Sequence, residues 1–162
     1  IGLAVDVTFG NRNTEEKKMR EEEERIRKGE LSELKYFETK NVPRVIIGID
    51  LGHVVTLAEK WSESREMIGG DPMQIIILRE IAKQCEHFVE VARSEAKRLR
   101  DAPESGEAQK DRVEQLRKIA AIYEKNQNMF LEIARSKPME MRALVTDKYP
   151  DRVGDSITTL TA

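Results

Sequence analysis

The stretch RVIIGID (44–50) limits the fold more than any other part of the chain. Val45, Ile46, Ile47 and Ile49 leave it no polar face, and Pro43 introduces it. A strand that is apolar on both sides belongs in the middle of a parallel sheet, covered above and below. A parallel neighbour must then be reached by a crossover, usually a helix. The upstream chain supplies both parts. IGLAVDVTF alternates, with Leu3, Val5, Val7 and Phe9 on one face and Gly2, Ala4, Asp6 and Thr8 on the other. Between the two strands, residues 13–28 read as a helix. Asn13 with Glu16 resembles a capping box, and Gly29 is a natural stop. Only Met19 and Ile26 are apolar in that helix, so it meets the core through a narrow seam and its charged remainder reads as solvated. Strand, helix and strand together predict a right-handed βαβ unit.

The rest of the chain reads as helical. GHVVTLAEKW opens a helix over 53–67, and GGDP (69–72) marks a hinge with Pro72 at a helix start. Residues 73–100 carry Ile77, Leu78, Ile81, Cys85, Phe88, Ala92, Ala96 and Leu99 at three- and four-residue steps. Residues 108–136 repeat the pattern with Val113, Leu116, Ile119, Ala120, Tyr123, Phe130 and Ile133. The short DAPESGE turn between them makes an antiparallel hairpin. A short helix is expected after Pro138, and the tail DSITTLTA reads as a loose strand or disordered. The expected fold is α/β, a small, mostly parallel sheet with a long helical hairpin C-terminal to it. Residues 1–68 form the α/β portion and 69–162 the helical portion of one continuous domain.

Composition excludes several classes. With 28 basic and 30 acidic residues the chain has no global attraction for nucleic acid, although a local basic patch such as Lys97, Arg98 and Arg100 is compatible with it. One cysteine and two histidines exclude a zinc finger. The lone Cys85 forms no internal disulfide, which fits a reducing, intracellular setting such as the cytoplasm. No apolar run approaches a membrane span of about 20 residues. Ile1 opens directly into a strand, with neither initiator Met nor signal-peptide pattern, so the chain is expected to be a fragment or a processed product.

Asp6 and Thr8 lie two residues apart on a strand and point the same way. A buried carboxylate needs a partner, and oxygen donors on a rigid element suit a hard cation such as Mg²⁺ or Mn²⁺. Lys17 and Lys18 reach this face if the following helix folds back along the strand. The order acidic-x-Thr strand, lysine-bearing helix and apolar strand resembles part of the PD-(D/E)XK nuclease core. It is similar to the variant in viral cap-snatching endonucleases, and restriction endonucleases share the layout. The resemblance covers about residues 1–50. It implies a divalent-metal-dependent nuclease with Asp6 as a metal ligand. Thr8 takes the position held by Lys in other members, and Lys17 or Lys18 is the displaced lysine. The family's upstream Pro-Asp motif and metal-binding His have no counterpart before Ile1, and His53 and His87 come too late to replace them. Nucleic acid is then the expected partner, DNA or RNA being left open.

Other groups admit plainer readings. Asp50 stands at a strand's C-terminal end, where α/β folds bind ligands, and GIDLG is similar to the first strand of ribonuclease-H-like and actin-like folds, in which an Asp holds metal. Asp50 also suits the N-cap of the next helix, and His53 a helix start. Glu33/Lys35 and Glu38/Lys40 imitate an acidic-x-Lys motif inside a connector. Cys85 and His87 point apart on one helix, so Cys85 reads as a small buried residue. The alternative function is a non-enzymatic assembly module, a homo-oligomer built through residues 73–136 and lost when Phe88 or Phe130 is made charged.

Overall fold

The computed structural model describes residues 2–9, 12–34, 39–64, 71–102 and 106–148. In chain order the elements are β1 (Ala4–Phe9), α1 (Arg12–Arg27), β2 (Ser32–Leu34), β3 (Thr39–Val42), β4 (Arg44–Ile49), α2 (Leu51–Ser64), α3 (Met73–Arg100), α4 (Glu107–Ser136) and α5 (Met139–Lys148). The predicted βαβ unit is present: β1 pairs parallel with β4, from Ala4↔Arg44 to Phe9↔Ile49. The long hairpin is α3 and α4. The expected tail strand and the residues Gly69 and Gly70 lie outside the described residues.

α1 begins at Arg12, one residue before the expected cap, and ends where Gly29 takes φ 78. That left-handed conformation suits glycine and closes the helix. The segment expected to be a plain connector forms an antiparallel ribbon, with Ser32 opposite Val42 and Leu34 opposite Thr39. Asn41 turns the ribbon toward β4 at φ 59, a conformation asparagine tolerates better than most residues.

β4 is the centre of the core, with Val45, Ile46 and Ile47 all buried. Met19 and Ile26 of α1 and the facing rows of α3 and α4 pack around it. Phe88 and Tyr123 lie at the heart of the hairpin with ring centroids 5.1 Å apart. Phe88 is therefore part of this chain's own core, and Phe130 packs against it from the edge. A charge placed at Phe88 therefore acts on the fold itself rather than on an exposed face. Among the described residues the large apolar side chains left exposed on this side of the chain include Met129 and Ile133 of α4 and Met139 of α5.

A two-stranded sheet has two open edges, and this one treats them differently. The Ala4 N–H donates to the Pro43 carbonyl at 2.9 Å, so alternate β1 residues from Ala4 face β4. On β4 the outward backbone groups are then those of Arg44, Ile46 and Gly48. Side chains from three helices meet them. The Arg44 N–H donates to the Tyr123 hydroxyl at 3.0 Å. The Ile46 N–H donates to Gln84 Oε1 at 2.8 Å, and Gln84 Nε2 donates back to the Ile46 carbonyl. The Gly48 backbone bonds the Glu15 carboxylate. Together they replace a third strand, which matters because an unpaired buried backbone group is costly. On β1 the outward groups belong to Val5, Val7 and Phe9, whose side chains are 42%, 42% and 59% exposed. The polar face is the covered one, since α1 lies over Asp6 and Thr8.

Candidate functional site

α1 runs back along β1, and its spacing decides which lysine reaches the strand. Lys18 Nζ lies 2.9 Å from Asp6 Oδ1, both side chains being partly buried. Lys17, one position earlier, points to solvent and pairs loosely with Glu21 at 4.0 Å. Arg44, which opens β4 opposite Ala4, sends its Nη1 to 3.6 Å from Asp6 Oδ2. The Asp6 carboxylate thus faces two cations, one from the crossover helix and one from the neighbouring strand.

Arg44 leads to a buried charge that sequence reasoning missed. Its Nε is 3.1 Å from Glu22 Oε2, and the Glu22 side chain is wholly buried. Glu22 also accepts from Arg25 at 2.9 Å and from the Ser32 hydroxyl at 2.8 Å. The Tyr123 hydroxyl lies 3.3 Å from its other oxygen. Burial first, and the nearby Glu22 charge second, hold the Tyr123 phenol well above its ordinary pKa. A carboxylate out of water survives only with this many donors. Asp6, Lys18, Arg44, Glu22 and Arg25, with the Ser32 hydroxyl, therefore form one polar network from the sheet surface into the core.

Thr8 is 8% exposed, and its Oγ1 has no hydrogen-bond partner among the described residues. Such an orphaned buried hydroxyl is uncommon. It shares a sheet face with Asp6, so two oxygen donors of the kind a hard cation takes stand side by side. Among the described residues no three of His, Cys, Asp and Glu converge on one point. Asp6 and Thr8 present two oxygens on one face, and Lys18 and Arg44 already serve the Asp6 carboxylate.

Asp50 is not brought to this site. Its Oδ1 accepts from Gly52 N–H at 2.7 Å and His53 N–H at 3.3 Å, so it caps α2. His53 Nε2 lies 3.8 Å from Asp71, whose Oδ1 accepts from Met73 N–H at 2.8 Å and steadies the start of α3. His87 bonds Glu23 at 2.8 Å and ties α3 to α1, away from Cys85. That bond is the main reason Glu23 sits below its usual pKa. Burial pushes the Cys85 thiol up to about 12, as suits an unreactive core residue. Glu33 pairs with Lys40 at 3.7 Å across the β2–β3 ribbon, so neither joins Asp6, and Lys35 and Glu38 lie outside the described residues.

One basic feature stands apart. A cleft of about 250 Å³ between α3 and α4 is lined by Arg93, Lys97, Arg100 and Arg117 beside Ala96 and Val113. Arg93 is held by Glu124 at 2.9 Å and Arg100 by Asp101 at 3.1 Å. Arg98 turns instead to Glu95 at 2.7 Å.

Comparison with known proteins finds no matching family model, no similar curated protein and no similar solved structure. Among the described residues no helix is long and apolar enough to cross a membrane.

Proposed function

We propose that the β1–α1–β4 unit is the catalytic portion of a divalent-metal-dependent nuclease, acting on the phosphodiester bonds of nucleic acid. One observation carries this reading: the crossover helix delivers the Lys18 ammonium onto Asp6, at 2.9 Å, from within a parallel strand–helix–strand unit. Asp6 is the metal-side carboxylate and Thr8 a neighbouring oxygen donor. A bound Mg²⁺ or Mn²⁺ would activate water and neutralise phosphate charge. Lys18 contributes a fixed positive charge beside the reacting phosphate. Arg44 holds the second Asp6 oxygen and fixes the carboxylate's orientation. The basic cleft of α3 and α4 supports the same class of partner, since phosphate backbones are held by clustered Lys and Arg.

The test is cleavage of single- and double-stranded DNA and RNA in Mn²⁺. The reading predicts cleavage that needs the metal and is abolished by Asp6→Ala. Absence of Mn²⁺-dependent cleavage on all four substrates overturns it. The assembly reading finds its support in the exposed Met129 and Ile133 on α4. It predicts a concentration-dependent oligomer by sedimentation that Ile133→Glu disperses.

A further inference from the structure

Beyond Asp6, Thr8 stands next to a second group of oxygens, closer to the C-terminal ends of the strands. Glu15, in the first turn of α1, reaches over the sheet to the Gly48 backbone. It can do so because residue 48 lacks a Cβ, which would run into the Glu15 carboxylate. Thr8 is the register partner of Gly48. Neighbouring strands lie about 4.8 Å apart, so the Thr8 hydroxyl and the Glu15 carboxylate flank one position on this face. Yet Thr8 Oγ1 is buried with no hydrogen-bond partner among the described residues, so it does not bond Glu15. The third oxygen source is Glu80 on α3. Gln84 fixes its place, because the amide nitrogen that bonds the Ile46 carbonyl also lies 3.3 Å from Glu80 Oε1. Glu80 therefore stands at the edge of β4, within two residues of Gly48.

The Glu15 and Glu80 carboxylates, near enough to feel each other's charge and beside a hydroxyl with no partner among the described residues, repel one another, and a shared cation relieves that as a proton would. All three groups offer hard oxygen, the donor set of Mg²⁺ and Mn²⁺. Parallel sheets also bind ligands at the C-terminal ends of their strands. We infer that Thr8, Glu15 and Glu80 form a divalent-cation site at the C-terminal mouth of β1 and β4. The site deepens the nuclease reading by supplying oxygens that Asp6 alone lacks, and rests on that reading only for what the ion would do. Glu15 has its pKa raised, by burial first and by the Glu80 charge second, which agrees with the two carboxylates being close.

The experiment is a Mn²⁺ titration of the whole chain, with free ion followed by its paramagnetic resonance signal and no substrate present. With two carboxylates, the expected Kd is about 0.1–1 mM, the weak end for oxygen sites. Glu15→Gln and Glu80→Gln each weaken binding at least tenfold. Gly48→Ala weakens it too, because the added methyl displaces Glu15 without removing a ligand. Circular dichroism melts without metal identify any variant that fails to fold, and Glu15 and Glu80 are both only partly buried. Unchanged binding in both carboxamide variants, or no binding by the unaltered chain up to 10-fold above the expected Kd, overturns the inference. Loss of binding in Asp6→Asn with full binding in Glu15→Gln overturns it while leaving the nuclease reading standing. Mn²⁺ binding that depends on Glu15, with no cleavage of any nucleic acid, upholds the site and rejects the nuclease.

Discussion

Gln84→Met tests whether side chains truly stand in for a third strand. Gln84 is buried, and its amide makes a two-way bond with Ile46, itself buried. Methionine keeps the length and volume, so little cavity forms. What is lost is both partners of one backbone unit, an N–H and a C=O that water does not reach. Each buried unpaired group costs about 1–3 kcal/mol, so the pair costs about 2–5 kcal/mol once relaxation is allowed. A domain of this size is stable by about 5–15 kcal/mol. The urea midpoint should then fall by about 1 M or more, with an m value of about 1–3 kcal/mol/M. Amide exchange gives a sharper readout. In the unaltered protein the Ile46 amide is protected like its neighbours Val45 and Ile47, although it points away from β1. In Gln84→Met only Ile46 loses protection strongly. A loss of stability below about 0.5 kcal/mol with Ile46 still protected would refute the reasoning.

Other expectations follow from groups off the sheet edge. Cys85, its thiol pushed up to about 12 by burial, should not react with a disulfide reagent at pH 8 until denaturant is added. Glu23 has a folded pKa below its ordinary value, chiefly through its bond to His87. Its contribution to stability is present above that ordinary value and lost as pH falls through the lowered one. Thermal melts between pH 7 and 3 should therefore show a steeper acid loss in the unaltered protein than in Glu23→Gln. Glu15 shows the opposite sign: its raised pKa makes the carboxylate a cost at neutral pH. Metal-free Glu15→Gln should melt higher at pH 7, and the advantage should fade in acid as Glu15 takes its proton.

Much of the fold is legible in the sequence, and the reasons are local. The seams of α3 and α4 repeat for about eight turns, so their faces and limits follow from spacing alone. The four apolar residues of β4 announce a strand covered on both sides. β1 is different, because period-2 alternation defines two faces without saying which is covered. Here Asp6 and Thr8 face the helix, and Val5, Val7 and Phe9 face out, since α1 brings Lys18 and Glu15 rather than an apolar stripe. The same seam hid Glu22. Inside KKMREEEERIRK it resembles its solvated neighbours, and the groups that enclose it, Arg44 by charge and Tyr123 by its hydroxyl, stand on β4 and α4. Gln84 did carry a signal, being an amide among the apolar positions of α3, where a buried polar group requires a partner. The β2–β3 ribbon is too short for periodicity to register. Of the candidate site, the strand and its two oxygens were readable. The choice of Lys18 over Lys17 required knowing how far α1 rotates along β1, and Glu80 required the fold.

Comparing Lys17→Ala with Lys18→Ala in Mn²⁺-dependent cleavage tests the central claim most directly. The two lysines are sequence neighbours of equal charge, and only Lys18 meets Asp6. The account predicts cleavage by the unaltered chain and by Lys17→Ala at similar rates, with Lys18→Ala slower by about 100-fold or more. Equal activity in the two variants, or no metal-dependent cleavage by the unaltered chain, would contradict it.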